Sequence, residues 1–108
     1  MDIKSNLLKE TKKKLSIHNK TPKDVLWIGT KDGSEAMNWG EFVKIADFEY
    51  DNGYGEAWIY LNLVVVGKGW WLERFEYDGS EWWEYKEPPK LLKNHKKLSY
   101  LTVVSLYG

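Results

Sequence analysis

The pattern of hydrophobic and polar positions changes period several times along the chain, and each change predicts a different element. Over residues 1–18 the apolar side chains recur at helical spacing, which predicts an amphipathic helix with Asp2 as its N-cap. The stripe expected to face the core comprises Ile3, Leu7, Leu8, Thr11 and Leu15. The lysines of this segment lie mostly off the stripe and are expected to face solvent.

The helical pattern breaks at Pro22, and the apolar run over residues 24–29 predicts a short strand. A second helix is predicted to begin after Asn38, which has Glu41 three residues later as a capping partner. Its core face is expected to contain Trp39, Phe42, Val43, Ala46 and Tyr50. We expect Gly53 to end this helix, because glycine accepts the left-handed conformation of a C-cap.

Three strand-like runs follow within residues 58–86, separated by glycine turns at 67–69 and 77–79. We expect both turns to be three-residue loops. A two-residue loop in the second hairpin would create two like-charge pairs across the strands, Glu76 with Glu81 and Glu73 with Glu84. A three-residue loop with Gly79 in the left-handed region avoids both pairs.

This register divides the side chains of the three strands between two faces. The face expected to lie under the helices carries Leu61, Leu63, Val65, Trp71, Phe75, Trp83 and Tyr85. Glu73 interrupts that face, and a buried carboxyl there would have a perturbed pKa unless it pairs with a lysine or the register is wrong. The opposite face is expected to bind a partner through Tyr60, Trp70, Arg74, Glu76, Trp82 and Glu84.

The two prolines at 88 and 89 end the meander, because neither can donate to a ladder. Residues 88–98 are expected to form a basic linker or loose helix, and residues 99–107 a last strand at the sheet edge. The sequence therefore predicts one α+β domain: an antiparallel meander of three to five strands with two helices packed on one face. Residues 24–87 form its acidic, tryptophan-rich core.

Composition adds an uneven charge distribution to this pattern. The chain has 108 residues and a formal net charge of zero, which allows one domain with a hydrophobic core. Residues 25–85 hold twelve carboxylates against four basic residues, together with all seven tryptophans. Residues 1–24 hold seven lysines against three carboxylates, and residues 86–108 hold five against one. Such asymmetry favours either neutralisation within the molecule or a basic partner for the acidic body.

Candidate chemistry is sparse. The absence of cysteine excludes disulfides, zinc–thiolate sites and a cysteine nucleophile. Residues 47–53 resemble the start of a calcium loop, but the turn glycine comes one position late and Trp58 replaces the bidentate glutamate. The carboxylates of the meander offer pairs for acid–base work on a sugar, yet nothing selects one pair. We expect no enzyme, no catalytic residue, no metal and no cofactor.

We expect no targeting signal. The longest apolar run, residues 58–66, is too short to span a bilayer, and the N-terminus has no apolar core of signal-peptide length. We therefore expect a cytoplasmic protein without membrane partners. Nucleic acid is disfavoured because carboxylates on the sheet face repel phosphates, although the lysine-rich ends leave it an alternative.

Several segments together resemble a family of short, uncharacterised proteins of phages and prophages of Gram-positive bacteria. They are residues 24–33 (DVLWIGTKDG), 39–46 (WGEFVKIA), 63–67 (LVVVG) and, most specifically, 70–85 (WWLERFEYDGSEWWEY). The resemblance covers residues 24–87. It implies a setting inside an infected host cell, without an assigned activity or site residue.

The sequence thus predicts a non-enzymatic interaction protein. We expect a small phage-encoded inhibitor that binds a basic groove of a host nucleic-acid-binding or defence protein through its acidic, tryptophan-bearing sheet face. The alternative is a module that binds a small ligand, a carbohydrate or nucleic acid through the same tryptophans. The identity of the partner and the oligomeric state stay open at this point.

Overall fold

The computed structural model describes residues 4–53 and 55–103, and within these ranges it contains two α-helices and seven strands. The elements in chain order are β1 (Lys4–Asn6), α1 (Leu7–Ile17), β2 (Val25–Thr30), β3 (Ala36–Met37), α2 (Trp39–Ala46), β4 (Glu49–Asp51), β5 (Leu63–Gly67), β6 (Trp70–Tyr77) and β7 (Ser80–Lys86). A 3₁₀ turn, Pro22–Asp24, precedes β2.

The predicted fold class is confirmed as α+β. Five antiparallel strands form one sheet in the order β3-β2-β5-β6-β7, while β1 and β4 pair separately as a two-stranded sheet. The last three strands of the large sheet form the predicted meander. Its first strand begins at Leu63 rather than Trp58, so residues 55–62 form a loop at one end of the sheet.

The first helix is shorter than predicted. It begins at Leu7, and its N-cap is Asn6, whose side chain accepts a hydrogen bond of 3.0 Å from the backbone N–H of Lys9. The residues before it form β1, while Asp2 and Ile3 lie outside the described residues. The rest of the predicted stripe is confirmed, since its buried members are Leu7, Leu8, Thr11 and Leu15.

The second helix has the predicted capping box and an earlier end. Asn38 and Glu41 exchange hydrogen bonds of 2.8 and 2.9 Å between side chain and backbone. The helix ends at Ala46, well before the predicted stop at Gly53, because the following residues form β4 and pair with β1. Tyr50 is therefore buried from a strand and not from a helix.

The predicted loop lengths of both hairpins are wrong. Tyr77 pairs with Ser80 around a two-residue turn, in which Asp78 and Gly79 have φ angles of 50° and 86°. Two positive φ angles define the type I′ turn, which Asp-Gly favours and which matches the strand twist. The first hairpin likewise has a two-residue loop, since Gly67 pairs with Trp70.

The expected like-charge pairs are therefore present, and neighbouring cations compensate them. Lys31 Nζ lies 2.9 Å from a carboxylate oxygen of Glu73, the partner of Glu84. Arg74 Nη2 lies 3.0 Å from Glu81, while the opposite Glu76 is exposed to solvent. Like charges directly opposite each other across strands cost at most about 1 kcal/mol.

A loop shortened by one residue reverses the faces of β6, because side chains alternate along a strand. The helices pack on a face whose buried members include Ile28, Val65, Trp70, Leu72 and Trp83. Trp71 and Phe75, predicted for this face, lie on the other one. The assignments within β5 and β7 are correct, so Trp83 and Tyr85 face the helices as predicted. Leu61, predicted for the same face, precedes β5 and is 44% exposed, so its predicted burial is wrong.

Each residue of the C-terminal segment, residues 88–103, is exposed, and none belongs to a helix or strand. The predicted edge strand is thus missing over 99–103, and residues 104–107 lie outside the described residues. A further strand could not pair with β2, because β3 and β5 already occupy both of its edges. The radius of gyration is 17.7 Å, against about 13 Å for a compact chain of this length.

Candidate interaction surface

The sheet face opposite the helices, here called the open face, is lined by aromatic and aliphatic side chains. Its members from β2, β5, β6 and β7 are Trp27, Val64, Val66, Trp71, Glu73, Phe75, Tyr77, Trp82, Glu84 and Lys86. Both helices pack on the other side, within the core. Within the described ranges neither helix covers the open face, and Val64 is the one of its members that is buried. The layers of a domain normally bury their apolar sides against one another.

The aromatic side chains of the open face are most exposed near the β6–β7 turn. Phe75 and Trp82 are cross-strand partners whose ring centroids lie 5.5 Å apart in a tilted arrangement. Phe75 is 47% exposed and Tyr77 is 72% exposed. The tilted arrangement is one that aromatic pairs favour.

A row of charges crosses the middle of the open face. The hydrogen bond from Lys31 holds the pKa of the Glu73 carboxyl below its ordinary value, against a smaller opposing effect of burial. Lys86 acts on the same carboxyl from a neighbouring strand. With Glu84 opposite Glu73, two cations and two carboxylates lie close together, so the middle of the face is close to neutral.

The negative charge lies instead at one end of the sheet. The loop of residues 55–62 ends where β5 begins, level with Arg74, and therefore lies at the same end as the β6–β7 turn. Residues 55–62 and 75–82 contain neither lysine nor arginine. Three of their four carboxylates are exposed, namely Glu56, Glu76 and Asp78, whereas Glu81 is buried beside Arg74. Their exposed aromatic residues are Trp58, Tyr60, Phe75 and Tyr77. We call these two segments the acidic aromatic end.

The loop of this end is fastened to the sheet by a buried carboxylate. Glu81 is 3% exposed and accepts hydrogen bonds from the backbone N–H groups of Trp58 and Ile59 at 2.6 and 3.0 Å. Ile59 is buried in the core, whereas its neighbours Trp58 and Tyr60 are 68% and 63% exposed. The loop therefore presents two aromatic rings from an anchored backbone, beside a shallow depression lined by residues 56–62.

Glu81 is held by a polar cluster beneath the acidic aromatic end. Arg74 is 3% exposed, and its guanidinium lies 2.6 Å from Glu10 of α1, 3.0 Å from Glu81 and 3.1 Å from the Tyr50 hydroxyl. The same guanidinium stacks over Trp83, 4.9 Å from the ring centroid. One arginine thus joins α1, β4, β6 and β7.

The protonation states in this cluster follow from its contacts. Burial lowers the pKa of Arg74, but the hydrogen bond and charge of Glu10 and the contact with Tyr50 raise it above its ordinary value. Burial, followed by the hydrogen bond to Glu10, raises the pKa of the Tyr50 hydroxyl above its ordinary value. Arg74 therefore stays cationic and Tyr50 neutral at physiological pH, which suits a structural cluster.

The six residues predicted to bind a partner do not form one surface. Trp70 and Arg74 are 4% and 3% exposed and belong to the core face, so their predicted exposure is wrong. The cause is the β6 register. Trp82 and Glu84 lie on the open face as predicted and are partly exposed. Two further predicted residues, Tyr60 and Glu76, are exposed within the acidic aromatic end.

Three exposed aromatic residues of this end were absent from the sequence-based site: Trp58, Phe75 and Tyr77. The signal that finds two of them is the Asp78-Gly79 pair. A two-residue type I′ turn there places Phe75 opposite Trp82, and both residues then share a face. Glu73, predicted inside the apolar face, lies on the open face for the same reason.

Comparisons with known proteins return no relative: no protein-family model, no curated protein and no solved structure matches this chain. Among the described residues, no three histidine or carboxylate side chains converge as a metal site would require. Neither helix in the described ranges is long and apolar enough to cross a membrane.

Proposed function

We propose that this chain is a non-enzymatic interaction protein that binds a basic, partly apolar surface of another protein through its acidic aromatic end. The observation that carries the proposal is the exposure of four aromatic side chains beside three exposed carboxylates, in two segments that themselves contain neither lysine nor arginine. Exposed aromatic rings on fixed backbone are typical anchors of interfaces. Surrounding carboxylates would accelerate encounter with a basic partner.

The proposed partner is a nucleic-acid-binding or defence protein of a bacterial host, and the proposed role is inhibition in the host cytoplasm. Such proteins carry a basic groove for phosphates, which an acidic surface can occupy. The resemblance of residues 24–87 to phage and prophage proteins supports this setting.

Affinity capture tests the proposal. The chain would be immobilised and exposed to a nuclease-treated lysate of a Gram-positive host, beside its Trp82→Ala and Leu26→Ala variants. Leu26 is 63% exposed on β2, remote from the acidic aromatic end, and serves as the matched control. We expect one basic protein on the wild type and the control, and its loss from Trp82→Ala. Equal capture by both variants, with circular dichroism showing intact folds, would contradict the proposal.

A carbohydrate ligand is the second candidate, because Trp58 and Tyr60 flank a shallow depression that also contains Glu56 and Asn62. Aromatic rings with polar groups beside them are suited to a sugar ring. Titration with oligosaccharides would then change the tryptophan fluorescence, and Trp58→Ala would abolish the change. An unchanged spectrum excludes this candidate for the sugars tested.

A further inference from the structure

The acidic aromatic end and the lysine-rich C-terminal segment lie at opposite ends of the large sheet. The acidic aromatic end contains the β6–β7 turn, and β7 runs about 20 Å from there to Lys86. At that far end lie Lys68, in the β5–β6 turn, and Lys20, whose ammonium is 5.7 Å from the centroid of the Trp70 ring. The basic C-terminal segment, residues 88–103, departs from the same end.

The C-terminal segment is both basic and apolar. It carries four lysines and no carboxylate. Its large apolar side chains are each at least 74% exposed: Leu91, Leu92, Leu98, Tyr100, Leu101 and Val103. Burial of such side chains removes apolar surface from water, so docking on an apolar surface is favourable for the segment.

We propose that the C-terminal segment docks on the acidic aromatic end of a second copy of the chain. This inference rests on the proposed function, because it uses the same surface and names a competitor for it. The segment has the basic, partly apolar chemistry that the proposed partner must have, and the charges are complementary. The prolines at 88 and 89 extend the chain away from its own sheet, and the molecule is 55 Å long.

Two copies placed antiparallel satisfy both contacts at once. The segment of each copy then lies on the acidic aromatic end of the other, and the contact closes as a two-fold dimer. Self-association would cover the surface that binds the partner, so the partner would compete with the second copy.

The first experiment measures mass by sedimentation of the full chain against protein concentration and salt. We expect a monomer–dimer equilibrium that shifts to monomer as salt rises, because salt screens the charges. Replacing Lys90, Lys93, Lys96 and Lys97 with glutamine should raise the dimer Kd at least tenfold. The matched control replaces Lys9, Lys12, Lys13 and Lys44, which are exposed on the helices, and should leave the Kd unchanged.

Mixing two deficient variants tests the pairing itself. The lysine-to-glutamine variant of the C-terminal segment keeps an intact acidic aromatic end, and Phe75→Ala/Tyr77→Ala keeps an intact segment. Each alone should be monomeric, whereas their mixture should form a heterodimer through one contact. A chain that stays monomeric at every concentration overturns the inference, and so does a dimer that the segment variant leaves unchanged.

The outcome is separable from that of the proposed function. Self-association with no captured partner supports the dimer and counts against the proposed function. A captured partner together with a monomeric chain supports the proposed function and counts against the dimer. If both hold, the segment variant should capture more of the partner than the wild type does, since its surface is no longer covered.

Discussion

At the scale of single residues, Arg74 is the contact on which the acidic aromatic end depends. Its guanidinium is the cation beside Glu81, and Glu81 in turn holds the backbone of Trp58 and Ile59. A buried carboxylate that loses its cation is strongly destabilising, because nothing replaces the water that it gave up. The positions of the exposed rings of the loop therefore depend on Arg74, which is too buried to contact a partner.

Arg74→Met should lower the free energy of unfolding by about 3–5 kcal/mol, since Glu81 remains buried without its cation. Urea unfolding measures the change. The double variant Arg74→Met/Glu81→Gln should recover part of the loss, because the neutral amide oxygen can still accept from the loop backbone. A cost below about 1 kcal/mol for the single variant would show that the cluster is not structural.

Glu73 should make the chain less stable in acid. Its pKa is lowered in the folded state, so its ion pair with Lys31 contributes stability above the unfolded-state pKa of the carboxyl. That contribution is lost as pH falls through the folded-state pKa. Lys31→Met should raise the pKa of Glu73 in an NMR titration and reduce the stability lost on acidification. Lys44→Met, at an exposed position of α2, should change neither.

At the scale of elements, the turn decides which side chains of β6 are buried. Gly79 has a φ of 86°, a region that costs a side-chain-bearing residue about 1–2 kcal/mol. Gly79→Ala should therefore destabilise the chain by about that amount in urea unfolding. Gly40→Ala, in the first turn of α2, should stabilise it by up to about 1 kcal/mol, because a Cβ there meets only Asn38 Oδ1 at 3.4 Å. Equal effects of the two changes would contradict this account of the turn.

The helices and the strands differ in how far the sequence determines them. The stripe of α1 and the Asn38–Glu41 box predict the buried side chains and the start of α2 correctly, because helical spacing and capping are local. The faces of β6 are not determined locally. Trp70 and Trp71 are equally apolar, so the strand pattern fits either face, and only the loop length selects one.

The candidate site was predictable only in part, for the same reason. The sequence correctly predicts that Tyr60, Glu76 and Trp82 belong to the surface. It also predicts an exposed Arg74, whereas Arg74 is buried in the core. Its burial requires Glu10, 64 residues earlier, and no short-range pattern reports such a pairing. The buried position of Tyr50 on β4 has the same origin, because β4 pairs with β1.

At the scale of the whole molecule, the net charge of zero is the sum of an acidic part, the acidic aromatic end, and a basic part, the C-terminal segment. Low salt should therefore let the chain bind both anion and cation exchangers at pH 7, although a neutral molecule with mixed charges would bind neither. Replacing the four C-terminal-segment lysines with glutamine should abolish retention on the cation exchanger. Replacing Glu56, Glu76 and Asp78 with their amides should abolish retention on the anion exchanger. Retention that neither variant changes would contradict the charge segregation.

The most direct test of the acidic aromatic end is the affinity of the captured partner for Phe75→Ala/Tyr77→Ala, measured by calorimetry beside Leu26→Ala. Both variants remove exposed side chains, so the fold should stay intact in circular dichroism. We predict a loss of at least about 2 kcal/mol, or roughly thirtyfold in Kd, for the double variant and no change for the control. Equal affinities of the two variants would contradict the assignment of this surface.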